Sequence, residues 1–205
     1  QIRKETCKDV IWVLAYANPF DPIQDYLNVV AADPNLAPAD ITKISTTYLE
    51  TTDPLFDLYL EKALVGMVKR RFEPGCKFDL VPTLDGDGGI GKSEFWITLA
   101  SPEWHSSSDA EQDKDFLMIL HSCWLYELAE LDYVTSKKEA GKLKNLITTC
   151  KDLLRVPFGK GIEREDRRGA MVGTVNGQFL QGDPALRRRF PVIQCPQSFD
   201  QGERI

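Results

Sequence analysis

The sequence of 205 residues contains few of the residues that build metal clusters or disulfide frameworks. It has two histidines and five cysteines, and neither His105 nor His121 flanks a C-x-x-C pair, because the sequence has none. An odd number of widely spaced cysteines disfavours both a structural zinc site and a disulfide-stapled fold. Unpaired thiols are typical of a reducing compartment, so we expect a cytoplasmic protein.

Long apolar runs, secretory signal patterns, internal repeats and low-complexity tracts are also missing, so no membrane span is expected. The chain begins with Gln1 rather than Met, and we expect it to be part of a longer polypeptide. Its hydrophobic content of 42% and charged content of 27% are ordinary for a globular domain. A net charge of −6 disfavours a nucleic-acid coat but permits a local basic site. The basic stretch 164–168 is interpreted as a solvated face.

Strand and helix patterns alternate in the second half of the chain. Strands are predicted at 78–84, 123–126, 170–175 and 190–193, and helices at 92–100, 115–121 and 137–150. This alternation predicts a three-layer α/β fold with a mainly parallel central sheet. We expect a mostly helical region at 1–77, a core at 78–196 and a truncated or disordered tail at 197–205. Within the first region, residues 1–50 look largely irregular, with one helix opening at Asp21-Pro22. The strongest helix there is 53–71, which has Asp53 as N-cap and Pro54 at its first position.

A glycine-rich segment joins the first predicted core strand to the following helix. Residues 86–93 match the pattern G-x-x-x-x-G-K-[ST]. Glycines let the backbone approach phosphates closely, and its N–H groups form an anion cradle at the start of a helix. Lysine can reach the β- and γ-phosphates, and serine can ligate Mg²⁺. The sequence therefore predicts a P-loop that binds ATP and Mg²⁺ through Gly86, Gly88, Gly89, Ile90, Gly91, Lys92 and Ser93.

Acidic residues follow the next buried strand, where a P-loop site needs them. Ligands bind at the carboxyl ends of strands in such sheets, and Glu127 ends the run 123–127. We assign Glu127 to magnesium and Glu130 to activation of the attacking water, although the two roles can be exchanged.

Polar and basic residues follow the later strands. Asn176 comes directly after the run 173–175 and can sense a γ-phosphate, but Asn before Gly177 is also a common turn signal. The triplet 187–189 of three arginines suits phosphate recognition, and its alternative interpretation is a solvated basic turn.

Six ordered motifs together resemble a known family. They are Pro74–Asp79, the P-loop, Trp124–Leu131, Arg155–Gly159, Gly173–Asn176 and Arg188–Phe190. Their order and intervals, over roughly residues 18 to 195, look like the virulence-associated protein E family of P-loop ATPases from phages, prophages and mobile islands. That family is similar to superfamily 3 helicases and primase-helicases within the AAA+ group.

The resemblance implies roles for individual residues. Lys92 and Ser93 would bind ATP and magnesium, and Glu127 with Glu130 would form the acidic second motif. Asn176 would be a polar sensor, and Arg188 or Arg189 would be an arginine finger that acts across a ring interface. One departure is Asp87, because a carboxylate beside phosphates is unfavourable unless it points away or meets a cation.

The resemblance further implies an ATP-hydrolysing, helicase-type motor in phage or mobile-element replication, in the cytoplasm of a bacterium or infected host. Its partners would be single-stranded DNA, other copies in a hexamer-like ring and a primase domain upstream in cis. Lys137, Lys138, Lys160 and Arg164 are weak candidates for DNA contacts. Two alternatives stay open: a kinase-type phosphotransferase built on the same loop, and a non-catalytic nucleotide-binding assembly module.

Overall fold

The structure is a computed structural model that describes residues 3–107, 116–129, 131, 137–155, 162–177 and 184–196. Its helices are α1 (Lys4–Ala17), α2 (Pro22–Ala32), α3 (Ile44–Tyr48), α4 (Pro54–Phe72), α5 (Lys92–Ala100), α6 (Phe116–Ser122), α7 (Lys137–Thr148) and α8 (Pro184–Arg187), with a 3-10 helix at Ile41–Lys43. Its strands are β1 (Thr83–Asp85), β2 (His105–Ser107), β3 (Leu125–Leu128), β4 (Lys151–Arg155), β5 (Ile162–Asp166), β6 (Ala170–Val175) and β7 (Val192–Gln194). Among these described helices, none combines the length and the apolar character that a bilayer span requires.

The chain divides into two compact units, 1–36 and 37–205. The first contains α1 and α2, so the expectation of a largely irregular start was wrong for residues 4–17. That segment has no proline or glycine to interrupt a helix, and this absence was the available signal. The expected helix at Asp21-Pro22 is present, because the Asp21 carboxylate accepts hydrogen bonds from the amides of Ile23 and Gln24.

The second unit contains a five-stranded sheet in the order β2-β3-β6-β1-β7. Every pairing within it is parallel, which confirms the mixed α/β fold with a mainly parallel central sheet. After β1 the chain crosses to the edge strand β2 and then adds β3 and β6, so these three strands lie on one side of β1. The last strand, β7, lies on the other side, and the strand order therefore changes direction at β1. In open parallel sheets a crevice forms at the carboxyl ends beside such a switch point.

Helices cover both faces of this sheet. One face packs on α6 and α7 through a buried apolar cluster that includes Tyr126, Met171, Leu120 and Leu143. The other face contacts α5, where the Trp96 indole donates to the Gly173 carbonyl at 3.3 Å. Strand side chains alternate between faces, so Glu127 and Thr174 point to the side of α5. This alternation decides which polar groups can meet at the site.

Helix α4 belongs to the same compact unit as the sheet. It begins at Pro54, and the Asp53 side chain accepts from the amide of Leu55 at 2.9 Å, as the sequence predicted. It also contacts β7. The compact units therefore divide at residue 36, whereas the sequence suggested a domain boundary at residue 77.

Three parts of the sheet prediction were inaccurate, and the first is that the edge strand β2 was not predicted. The strand expected at 78–84 is confined to β1, because Pro82 has no N–H for a ladder and the segment before it forms only isolated bonds such as Val81 N–H to the Arg189 carbonyl. The antiparallel hairpin of β4 and β5 was also not predicted. Its strands are rich in charged residues and lack a clean apolar alternation, so the period-2 signal is weak.

A buried ionic cluster holds this hairpin to the body of the unit. Arg167 makes two hydrogen bonds to the Asp152 carboxylate at 2.6 and 2.8 Å and a further one to the Leu146 carbonyl. His121 Nε2 lies 2.9 Å from the same carboxylate. Arg167 and Asp152 are 1% and 3% exposed at the side chain, so the expected solvated face at 164–168 was wrong for Arg167. Burial raises the pKa of Asp152, but its bonds to Arg167 and His121 outweigh that and lower it to about 2.

Replacing Asp152 by asparagine should destabilise the protein by about 3 kcal/mol or more, because it leaves the Arg167 guanidinium buried without its counter-charge. The measurement is urea-induced unfolding at pH 7. The matched control is Glu73→Gln, which removes one partner of the exposed pair Lys69–Glu73 and should change stability by less than about 1 kcal/mol. Equal effects of the two substitutions would contradict the role of the cluster.

The stability lost in Asp152→Asn should also depend on pH. The folded pKa of about 2 lies below the unfolded value of 3.8, so the stabilisation is complete above pH 3.8 and is lost as the pH falls toward 2. It amounts to about 2 kcal/mol, since each pKa unit is worth about 1.4 kcal/mol. The stability difference between the wild type and this variant should shrink across that window.

Candidate functional site

The glycine-rich loop follows β1 at the carboxyl edge of the sheet and leads directly into α5. Gly89 has φ of 80° and Gly91 has φ of 92°, both in the left-handed region that costs other L-residues about 1–2 kcal/mol. Gly91 is also the N-cap residue of α5 and accepts from the Phe95 amide at 3.0 Å. These conformations explain why the turn from strand to helix requires glycine at both positions.

The outer part of the loop faces open space. A Cβ atom built on Gly88 or on Gly89 meets no heavy atom within 4 Å. Asp87 is exposed as well, so solvent can screen the carboxylate that the sequence analysis identified as a departure. The surface above the loop therefore has room for a ligand beside the positive end of the α5 dipole.

Lys92 folds back over the loop. Its ammonium group donates to the carbonyls of Gly86 at 2.6 Å and Asp87 at 2.7 Å. It also donates to Asn176 Oδ1 at 3.0 Å, although these two residues are 84 positions apart in sequence. The structure thus joins the loop lysine to the end of β6, where the sequence placed a candidate sensor.

Glu127 is the buried centre of the site, with an exposed fraction of 1%. Its Oε1 accepts from Ser93 Oγ at 2.6 Å and from Thr174 Oγ1 at 2.8 Å. Its Oε2 lies 3.1 Å from His105 Nε2. Burial raises the pKa of Glu127, but the hydrogen bonds from His105, Ser93 and Thr174 outweigh it and hold the pKa below its usual value. The carboxylate is therefore ionised at neutral pH and is aimed at the serine that follows Lys92.

Asp85, the last residue of β1, ties the neighbouring strand ends together. It accepts from the Gly177 amide and from Gln194 Nε2, both at 2.8 Å. The nearby thiol of Cys195 has its pKa raised to about 12 by burial, so it is not a nucleophile at neutral pH. Asp85 supports the edge on which the loop, Asn176 and Glu127 converge.

The arginines of the triplet lie near the amino ends of the strands, at the end of the sheet opposite the loop. Arg189 precedes β7, and its carbonyl accepts from the Val81 amide at 2.7 Å. From Val81 to Gly86 the chain spans about 16 Å at roughly 3.3 Å per residue. The Arg189 side chain lies 3.6 Å from Asp79 and is largely buried, whereas Arg188 is exposed. Neither residue is positioned beside the glycine-rich loop.

Glu130 lies outside the described residues, so its assignment to water activation stays a prediction. Two functional candidates were missed by sequence reasoning, namely His105 and Thr174. Thr174 could have been found from the sequence, because it is a polar residue in a predicted buried strand. It also lies two positions before Asn176 and therefore on the same face of that strand. His105 had none, since its contact depends on the pairing of β2 with β3.

The donor set suits a hard divalent cation. Ser93 Oγ and Glu127 Oε1 are both oxygen donors, which Mg²⁺ prefers. Within the described ranges no group of three or more His, Cys, Asp or Glu residues converges. Magnesium typically binds one or two protein oxygens, with waters and substrate phosphates completing its shell, so two donors beside an open glycine-rich loop fit it.

Together, the fold and this edge define an α/β domain whose parallel sheet carries a glycine-rich loop at its carboxyl end. The family model for the virulence-associated protein E-like domain matches residues 37–204, and the chain therefore belongs to that family. The match begins at the residue where the second compact unit begins. No curated protein matches the chain.

Solved structures give the same fold at low sequence identity. An A-form apo structure of the NrS-1 C-terminal region aligns with a TM-score of 0.57 and 19% identity, over 85% of this chain and 42% of that one. A second A-form structure, of residues 305–718, aligns with a TM-score of 0.52 and 17% identity over the same shares. The chain thus spans less than half of the length of these structures, and at this identity the likeness concerns the fold alone.

Gly91→Ala should destabilise the domain by about 1–2 kcal/mol, because alanine is strained at a φ of 92°. Gly88→Ala is the matched control, since Gly88 has no positive φ and its added methyl meets no atom; its effect should stay within about 0.5 kcal/mol. Urea unfolding of both variants measures the difference. If Gly91→Ala were as stable as Gly88→Ala, the loop would not have the backbone described.

Proposed function

We propose that this domain binds and hydrolyses ATP as a motor in DNA replication of a phage or mobile element. The observation that carries the proposal is the convergence of Lys92, Ser93, Glu127 and Asn176 at one edge of the sheet. These residues come from α5 and from the ends of β3 and β6. Their meeting was predicted from motif order, and a chance match to a glycine-rich pattern would not require it.

Each residue has a task that its position supports. The amides of the glycine-rich loop face the phosphates, and the ammonium of Lys92 exchanges its loop carbonyls for phosphate oxygens. Ser93 and Glu127 would hold Mg²⁺, which neutralises charge that develops on the phosphates. The carbonyls of Gly86 and Asp87 already hold the Lys92 ammonium at the loop. A rotation of the lysine side chain toward solvent would therefore bring it to the phosphates.

Asn176 links the lysine to the end of β6 and is exposed at the mouth of the site. An amide there can orient an attacking water or sense the γ-phosphate. Glu127 has both carboxylate oxygens engaged by hydrogen bonds, which favours the metal-binding role for it. The role of orienting water then falls to Glu130, as the sequence suggested.

A neighbouring copy completes the site in this proposal. Arg188 and Arg189 lie at the amino edge of the sheet, too far to reach the loop of their own subunit. An arginine from a neighbour in a hexamer-like ring can contact the phosphates and is worth about 10³–10⁵-fold in turnover. Arg188 is the better candidate because it is exposed, whereas Arg189 lies beside Asp79.

The replication role rests on membership of the virulence-associated protein E-like family and on the shared fold of the NrS-1 C-terminal region. We propose single-stranded DNA as the polymer on which the motor acts, and a primase-type domain elsewhere in a longer polypeptide. The greater length of the matched structures is compatible with further domains.

Lys92→Ala should reduce ATPase turnover by at least about 100-fold, because the phosphates lose their lysine contact. The assay is phosphate release from ATP with Mg²⁺, with and without single-stranded DNA. The matched control is Lys62→Ala, which removes an exposed lysine paired with Glu61 and should leave turnover unchanged. Stimulation of the wild type by DNA supports a motor, whereas phosphate transfer to an added acceptor without DNA stimulation would indicate a kinase. A wild type without ATPase activity would overturn the proposal.

Mixing two inactive variants tests whether Arg188 acts across an interface. Lys92→Ala and Arg188→Ala proteins should each be inactive, and their mixture should recover part of the wild-type turnover. In the mixture, a Lys92→Ala subunit supplies Arg188 to the intact loop of its neighbour. Arg187→Ala, which removes a charge one residue earlier, should retain activity. A mixture as inactive as its components would contradict a finger supplied in trans.

A further inference from the structure

We propose that His105 is a positioning residue that orients the Glu127 carboxylate for magnesium binding. This inference rests on the proposed ATP- and Mg²⁺-dependent function and names a residue that no motif assigns. His105 would not touch nucleotide or metal. It would act through Glu127, by holding one carboxylate oxygen so that the other faces Ser93.

Strand register brings the two side chains together. β2 pairs with β3 in parallel, and His105 is directly opposite Leu125. Glu127 lies two residues beyond Leu125 and therefore on the same face of the sheet, as a diagonal neighbour of His105. The imidazole Nε2 lies 3.1 Å from Glu127 Oε2, and the two side chains are 6% and 1% exposed. The contact is therefore enclosed within the domain and excluded from bulk water.

The remaining contacts of the carboxylate explain why this hydrogen bond matters. Ser93 and Thr174 both donate to Oε1, whereas His105 is the described donor to Oε2. The terminal torsion of a glutamate is broad and has no strong intrinsic preference. Partners must therefore set its orientation, and a buried Oε2 without a donor would turn toward whichever donor remains.

The orientation decides which oxygen faces Ser93. With His105 in place, Oε1 points to the hydroxyl that follows Lys92, where the donor set fits Mg²⁺. If His105 is removed, Oε2 must compete with Oε1 for Ser93 and Thr174, and the carboxylate loses its fixed aim. Hydrogen-bond partners behind a metal ligand typically contribute about 10–100-fold to metal affinity.

The test measures how much Mg²⁺ improves binding of a fluorescent, non-hydrolysable ATP analogue. For each protein the affinity in excess Mg²⁺ is divided by the affinity in EDTA. For His105→Leu we expect this ratio to fall by about 10-fold or more while the affinity in EDTA is unchanged. His105→Gln, whose amide can donate from a similar position, should restore most of the ratio.

The second histidine of the chain provides the matched control. His121 also bonds to a buried carboxylate, that of Asp152, but lies in the ionic cluster that anchors the hairpin. His121→Leu should therefore lower thermal stability and leave the magnesium ratio at the wild-type value. All proteins are compared well below their unfolding temperatures, so that loss of folded protein does not mimic loss of metal binding.

The outcomes separate this inference from the proposed function. A wild type that binds the analogue better with Mg²⁺, together with a His105→Leu protein of equal ratio, would overturn the role of His105 alone. An equal loss of affinity in Mg²⁺ and in EDTA would also overturn it, because that pattern marks a purely structural residue. A wild type with neither Mg²⁺-enhanced binding nor ATPase activity would overturn the proposed function, and this inference with it.

Discussion

The buried carboxylate of Glu127 is the constraint on which the rest of the site depends. It accepts hydrogen bonds from side chains of β2, α5 and β6, and it sits on β3 itself. An ionised group in so dry a position is costly unless it is fully hydrogen-bonded. The pairings of β2 and β6 with β3 and the placement of α5 must therefore all be correct before the carboxylate is stable. Formation of the site therefore depends on correct assembly of β2, β3, β6 and α5.

The sequence predicted the parts of this arrangement that depend on local pattern. The glycine-rich loop, the helix after it, and the acid and amide near the ends of neighbouring strands could each be recognised because parallel strands bring their carboxyl ends to one edge. The contact of Lys92 with Asn176 follows from that rule. The exact extent of β1 was not predicted, because Pro82 shortens the strand. The loss of a ladder hydrogen bond at a proline was nevertheless foreseeable from the sequence.

What the sequence could not predict depends on long-range pairing. His105 is separated from Glu127 by 22 positions, and only the register of β2 against β3 places it on the correct face. The hairpin of β4 and β5 escaped for a related reason, because charged strands have little apolar alternation. Arg167 looked like part of a solvated basic stretch, yet it is buried against Asp152. Pairing of a charge across the fold cannot be seen in composition.

The position of Lys92 adds a point about the energetics of binding. Its ammonium already has three hydrogen-bond acceptors, and it is only 7% exposed. Contact with a phosphate would replace neutral carbonyl acceptors by anionic oxygens, which attract the ammonium more strongly. In the proposed nucleotide complex the lysine would therefore keep hydrogen-bond partners. Because Asn176 is one of the three acceptors, a movement of the Lys92 ammonium would also break a contact at the end of β6.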